Sequence, residues 1–337
     1  MAKRRLSEQQ TRRIRDQQSR RAQRAADGDS AVDSDLGPEQ SGLVISHFGA
    51  QLDVEALEGE RRGAIVRCRL RTNLDALVTG DRVVWQPRLD GDDGVVVASL
   101  ERHSLLSRPD SHSGLPRPVA ANIDQLLVVI APQPEPFANL IDRYLVAAEA
   151  CGIEPILLLN KSDLLDDARR PALDALLATY RDIGYRVLRA STVAGDGLDQ
   201  LRAQLSGRIS VFVGQSGVGK SSLISTLLPG EEIRVGELSQ AVSKGRHTTT
   251  TARLFHLPGG GDLIDSPGIR EFGVGHLSRP DIEAGFRELQ SLLGRCRFRN
   301  CRHDAEPGCA IREAESSGAL TPQRSASLRA LLAEAGE

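Results

Sequence analysis

Aromatic side chains are scarce in this 337-residue sequence, 3% in all, with a single Trp and a single Met. Long apolar runs are missing: none could cross a bilayer, and the first residues lack the apolar core of a secretory signal. Cysteine is sparse too, five residues, three of them gathered near the C-terminus beside a histidine. That grouping favours metal ligation in a reducing compartment over a disulfide framework. The expectation is a cytoplasmic protein with no membrane partner. The net charge is only −2, yet the charge is unevenly spread. Lys3, Arg4, Arg5, Arg12, Arg13, Arg15, Arg20, Arg21 and Arg24 face only Glu8 and Asp16 in the opening stretch.

The chain divides into four parts. Residues 1–41 read as a basic mobile arm and a Gly/Ser/Asp/Pro linker. Such an arm either docks on a polyanion, with steep salt dependence, or is a solvated tail. Residues 42–110 carry short strands punctuated by glycine: Leu43–Gly49, Gly63–Leu70, Asp81–Trp85 and Gly94–Ala98. With no helical period, they suggest a small antiparallel barrel, OB-like, a class that commonly binds nucleic acid on one face. Strand alternation puts Arg67, Arg69 and Arg71 on one side and Cys68 in the core. Those arginines are either nucleic-acid contacts or a solvated face.

After a Pro-rich joint the pattern changes to alternating strand and helix over residues 118–275. Gln125–Ile130 and Pro155–Leu159 are continuous apolar runs of the buried parallel type. A helix is predicted from Asn139, as its cap, to Ala150, with others near 171–182 and 197–205 and a strand at 185–189. This is a three-layer α/β domain, with ligands expected at the strands' carboxyl ends.

The chemistry sits at those ends. Ile209–Val213 leads into Gly214-Gln215-Ser216-Gly217-Val218-Gly219-Lys220-Ser221 and then a helical run. Strand, glycine-rich turn and helix are the setting in which G-x-x-x-x-G-K-S cradles phosphate with backbone N–H groups. Residues 214–222, Ser222 included, form the expected phosphate set, with Lys220 charging the β- and γ-phosphates and Ser221 ligating Mg²⁺. Asn160-Lys161-Ser162-Asp163 comes directly after the second buried run and matches N-K-x-D. Asp163 can accept from the ring N–H and exocyclic amine of guanine, whereas facing adenine it would stay unsatisfied. That argues for GTP over an ATP-using kinase or ATPase. Ser191 and Thr192 fall where a backbone contact to the base is expected, or else form an ordinary turn. Asp265-Ser266-Pro267-Gly268 matches D-x-x-G, with Asp265 toward Mg²⁺ and the Gly268 N–H toward the γ-phosphate. Between these lies Gly245–Thr251, in which Thr249 is expected to complete the Mg²⁺ shell.

The order is unusual. Base-reading elements precede the phosphate loop, which is a circular permutation and leads the γ-phosphate loops into the C-terminal segment beyond Gly268. That segment, 276–337, is mainly helical, and holds Cys296, Cys301, His303 and Cys309 within fourteen residues. Three thiolates and one imidazole make a closed, structural Zn²⁺ site, one per chain. Arg295, Arg297, Arg299 and Arg302 surround it, as an RNA-facing surface or a solvated rim. A last helix runs from Gln323 to Glu334, with Leu328, Leu331 and Leu332 on one side.

This multidomain chain resembles the ribosome small subunit-dependent GTPase A family (RsgA/YjeQ). The likeness covers nearly everything after residue 41: the barrel, the N-K-x-D, G-x-x-x-x-G-K-S, G-R-H-T-T-T, D-S-P-G order and the C-x4-C-x-H-x5-C cluster. The resemblance implies an OB-fold domain, a GTPase domain and a zinc domain. It also implies a role in late maturation of the 30S subunit, contacts with its 16S rRNA, and subunit-stimulated hydrolysis of GTP to GDP and phosphate. A monomer is expected. Ile269 stands where Ras-like enzymes place a water-orienting glutamine. His247, beside the switch threonines, is the candidate for that task, with a structural switch role as the other reading. Gly217 occupies the position at which potassium-activated GTPases carry asparagine, so no potassium dependence is expected. The competing reading is an RNA-binding assembly scaffold in which GTP only locks conformation.

Overall fold

The computed structural model describes residues 35–49, 51–71, 74, 76–109, 116–230, 252–265, 274 and 277–335. Most of the basic arm, and the candidates His247, Thr249 and Gly268, lie outside the described residues. Among the described residues, no helix is long and apolar enough to cross a membrane.

Five strands close the first barrel: β1 (Gln40–Phe48), β2 (Gln51–Ala56), β3 (Ile65–Leu70), β4 (Arg82–Pro87) and β5 (Gly94–Ser99). β1 pairs antiparallel with both β2 and β4, β2 pairs with β3, and β5 joins β4 antiparallel and β3 in parallel. That closure removes the sheet edges and gives the OB-like barrel. Val44, Leu52, Val54, Val66, Cys68 and Val96 fill it around Trp85. Gly94 makes room for the indole: a Cβ there would stand 2.7 Å from Trp85 Cε3. Arg67 and Arg69 alternate outward with Val66 and Cys68 inward along β3. Sequence pattern had not marked β2, whose outward positions are Gln51, Asp53 and Glu55. The Pro-rich joint also contains a hairpin, β6 (Leu105–Pro109) with β7 (Pro116–Ala121).

The remaining strands are β8 (Gln125–Ile130), β9 (Glu154–Leu159), β10 (Arg186–Arg189), β11 (Ile209–Val213), β12 (Arg253–His256) and β13 (Asp262–Asp265). They lie in the order β10-β9-β8-β11-β13-β12, parallel except for β12. β1 joins this sheet through the pair Ser46 and Arg253, so barrel and α/β sheet share one hydrogen-bonded sheet. Helices α1 (Ala138–Ala150) and α2 (Arg170–Ile183) cover one face. Helices α3 (Leu198–Leu205) and α4 (Lys220–Leu227) cover the other. Alternation splits β8 between the two cores, Leu126 and Val128 toward α1 and Leu127 and Val129 toward α4. α1 is capped two residues earlier than expected: Phe137 is its N-cap, without a side-chain bond, and Asn139 lies in the first turn.

The C-terminal unit contains α5 (Arg279–Ala284), α6 (Ala310–Ser317) and α7 (Pro322–Glu334). Its Ile282, Phe286, Leu289, Ile311, Leu328 and Leu331 belong to the same core cluster as Leu126 and Leu145. Arg324, in α7, is fully buried. It donates to Asp142 Oδ1 of α1 at 2.6 Å and bidentately to Glu288 at 2.6 and 2.9 Å. Its guanidinium also stacks 4.3 Å from the Phe286 ring centroid. The unit is therefore docked on α1 by both apolar packing and a buried ion pair.

Candidate nucleotide site and metal centre

Strand order reverses between β8 and β11, so the crevice at their carboxyl ends is where an open α/β sheet takes a ligand. The phosphate-loop candidate begins there. Gly214 has φ 134°, and a Cβ on it would lie 2.2 Å from the Val129 carbonyl oxygen of β8. Gly219 has φ 92°, and a Cβ there would meet Asn160 Nδ2 at 2.4 Å. Both positions exclude a side chain by space as well as by conformation. Helix α4 starts at Lys220, so the loop residues Gln215, Ser216, Gly217 and Val218 lead into a helix N-terminus, where backbone N–H groups are unpaired. Lys220 Nζ donates to the Gly214 and Gln215 carbonyl oxygens at 2.6 and 2.7 Å, which folds it back over the loop. Ser221 and Ser222 sit in the first turn of α4, Ser222 exposed.

Asn160 and Lys161 converge on the same loop. Asn160 is buried and donates from Nδ2 to the Val218 carbonyl at 2.9 Å. Lys161 adopts the left-handed region, φ 55°, and its Nζ donates to the Gly217 carbonyl at 2.6 Å. A non-glycine residue in that region is held there by its surroundings. Here the two hydrogen bonds to the loop hold it. Asp163 is exposed at the start of a single-turn helix, Ser162–Leu164.

Ser191 does more than the expected turn contact. It is buried, its hydroxyl donates to Asp163 Oδ1, and it accepts from the Val193 and Ala194 N–H groups at 3.2 and 3.0 Å. The carboxylate is thereby oriented by a strand-end hydroxyl 28 residues away in sequence. Thr192 is half-buried beside it. Asp265 ends β13, which pairs with β11, so it stands on the strand next to the one that feeds the phosphate loop. Tyr144 of α1 also reaches this end of the sheet. The Gly214 N–H donates to its hydroxyl oxygen, and burial holds its pKa above the usual phenol value.

The second site is in the C-terminal unit. The ligand atoms of Cys296, Cys301, His303 and Cys309 all lie within 4.8 Å of one another. His303 turns Nδ1 inward, 3.6 Å from Cys296 Sγ and 3.3 Å from Cys309 Sγ. Its Nε2 faces Glu283 Oε1 of α5 at 3.3 Å, the second contact that fixes the ring and its tautomer in metal-binding histidines. Burial, with hydrogen bonds to the neighbouring thiols, pushes the Cys301 thiol up to about 12. Three cysteines and one histidine at this spacing make a donor set that fits a tetrahedral zinc. Glu306 braces the loop, accepting backbone N–H groups from Arg302, Asp304 and Ala305, which hold its carboxyl down at about 2. Arg295, Arg297, Arg299 and Arg302 are all exposed around it, and Arg297 lies over the exposed Phe298 ring.

Residues 99–275 match the family model described as RsgA GTPase. The chain is 60% identical to the small ribosomal subunit biogenesis GTPase RsgA of Ectopseudomonas mendocina, covering 100% of this chain and 99% of that one. It is 59% identical to the protein of the same name in Azotobacter vinelandii, with the same coverage. Among solved structures it is similar to YjeQ from Thermotoga maritima, with TM-score 0.72 and 30% identity over 88% of this chain and 98% of that one. It is likewise similar to YloQ, described as a circularly permuted GTPase, with TM-score 0.68 and 29% identity over 90% and 97%.

Proposed function

We propose, since the chain belongs to the RsgA GTPase family, that its GTP hydrolysis serves late maturation of the small (30S) ribosomal subunit. The observation that carries the nucleotide reading is the tie between base-reading and phosphate elements. Asn160 and Lys161 hydrogen-bond the very loop that Lys220 closes, so guanine and triphosphate would be gripped by one connected unit. In this reading Asn160, Lys161, Asp163, Ser191 and Thr192 take the base, and residues 214–222 take the phosphates. Ser221, Thr249 and Asp265 would hold Mg²⁺, which supplies charge neutralisation between the β- and γ-phosphates. The Gly268 N–H senses the γ-phosphate and His247 orients the attacking water. Cys296, Cys301, His303 and Cys309 would hold one structural zinc.

The parts divide the work: arm 1–41, barrel 42–110, GTPase domain 118–275 and zinc domain 276–337. Exposed Arg67 and Arg69 on the barrel and the arginines around the metal loop offer cationic surface to 16S rRNA, and the barrel adds the exposed rings and methyls of Phe48 and Ile65. GTP orders the 239–251 and 265–275 loops and biases the zinc domain relative to the barrel; hydrolysis releases the subunit. The chain acts in the cytoplasm as a monomer. GTP turnover measured with and without purified 30S subunits tests this. Stimulation by the subunit is expected. Turnover that the subunit leaves unchanged, with binding intact, would favour the scaffold in which GTP only locks conformation. His247→Ala should abolish the stimulation while leaving GTP and 30S binding in place.

A further inference from the structure

Helix α1 meets the phosphate loop on one side and the C-terminal unit on the other. Tyr144, buried, lines a small cavity with Gly214, Gln215 and Val218. Its hydroxyl oxygen accepts from the Gly214 N–H, while the Gly214 carbonyl accepts from Lys220 Nζ at 2.6 Å. The first residue of the loop is thus held through both its hydrogen-bonding groups. Two residues before Tyr144, Asp142 Oδ1 accepts from Arg324 of α7 and from the Tyr180 hydroxyl of α2, each at 2.6 Å. Between them, Arg143 forks onto Glu334 at the far end of α7, at 2.6 and 2.5 Å. One turn on, Gly285 lies so close to Val146 that a Cβ would stand 2.8 Å from its Cγ1, and Glu149 accepts from Arg287 Nε. α1 is gripped along its length by the unit that carries the metal cluster.

We propose that Tyr144 is a positioning residue for the phosphate loop and that α1 couples the state of that loop to the C-terminal unit. The coupling runs from Gly214 through Tyr144 to Asp142 and Arg324. It rests on the reading of residues 214–221 as the phosphate-binding loop. A packed helix shifts as a body and does not deform locally, so a change at Gly214 is felt by α7. Such a route requires measured coupling and not adjacency alone.

The test is Tyr144→Phe in the full-length chain, which keeps the ring and removes the hydroxyl that the Gly214 N–H bonds. Titration with fluorescent GDP and GTP analogues should show roughly tenfold weaker binding, chiefly through faster dissociation. Hydrogen–deuterium exchange supplies the second readout. In the wild type, saturating GDP should slow exchange across α7; in the variant, also saturated, that slowing should be lost. The nucleotide-free thermal midpoint should stay near the wild-type value. Affinity within twofold of wild type overturns the proposal, as does nucleotide-dependent protection of α7 that is absent from the wild type or intact in the variant. A large fall of the nucleotide-free midpoint together with affinity would make Tyr144 a general packing residue, and overturns it too. Failure of the wild type to bind GDP would instead refute the phosphate-loop reading.

Discussion

Asp163→Asn should move the base preference of the site from guanine towards xanthine. The wild-type carboxylate is oriented by the Ser191 hydroxyl and faces outward from the loop after β9. Guanine offers it two donors, the ring N–H and the exocyclic amine. Hydrogen bonds to a charged acceptor contribute about 1.5–3 kcal/mol each. Their joint loss is therefore about 3–6 kcal/mol, or about 10²–10⁴-fold in Kd. The substituted amide makes the loss worse for guanine, because its own N–H₂ then faces the guanine amine. Xanthine carries a carbonyl at that carbon and accepts from the amide. The fold should survive, since the Ser191 hydroxyl can still donate to the amide oxygen. Competition against a fluorescent GDP analogue, with GTP, xanthosine triphosphate and ATP as competitors, measures all three affinities. GTP bound by the variant within tenfold of wild type, or ATP competing as well as GTP in the wild type, would refute this assignment of Asp163.

Arg324→Met would strand Asp142 as a buried carboxylate and Glu288 as a half-buried one and should cost about 3–5 kcal/mol of the docking of α7, read from amide exchange in that helix. A loss below about 1 kcal/mol would show that the ion pair is dispensable. The purified chain should carry about one zinc, which Cys301→Ser loses and Glu283→Gln holds roughly 10–100-fold more weakly in a chelator competition. Unchanged zinc affinity in Glu283→Gln would rule out its role on His303. His256 of β12 bridges Glu55 of the barrel at 2.8 Å and Asp262 at 2.6 Å. Its pKa is raised: burial works against the shift, and the bonds and charges of Asp262 and Glu55 outweigh it. The clasp therefore contributes fully below the unfolded value of about 6.5 and is lost as pH rises through the higher folded value. The side chain is 54% exposed, so the contribution is screened to about 0.5 kcal/mol. Thermal midpoints at pH 6 and 8 should differ more for wild type than for His256→Asn, and an equal difference would discount the clasp.

The α/β part was legible because its central strands, β8, β9 and β11, are buried on both faces. Leu126–Ile130 and Ile156–Leu159 have no polar interruption, and the motifs at their ends have fixed spacing. The missed β2 alternates Gln51, Asp53 and Glu55 outward with Leu52, Val54 and Ala56 in the core, but it is only six residues long and follows β1 after two residues, so it merged with the gap after Gly49. Prolines at both ends disguised the β6–β7 hairpin. Arg324 looks like any surface arginine of an amphipathic helix until Asp142 and Glu288, 182 and 36 residues away, are brought to it. Glu283 and Glu306 escaped for the same reason, as did the bond from the Ser191 hydroxyl to Asp163: each acts on a motif residue, and only the fold makes them neighbours. Polar side chains with distant partners leave no periodic signal, whereas apolar runs and glycine-bounded motifs do.

The direct test of a nucleotide-controlled grip is the affinity of the full-length chain for purified 30S subunits, measured with a non-hydrolysable GTP analogue and again with GDP at one fixed salt concentration. Binding should be at least about fivefold tighter with the analogue, the lower range of coupling between two sites. Equal affinities in the two nucleotide states would contradict a grip that hydrolysis releases.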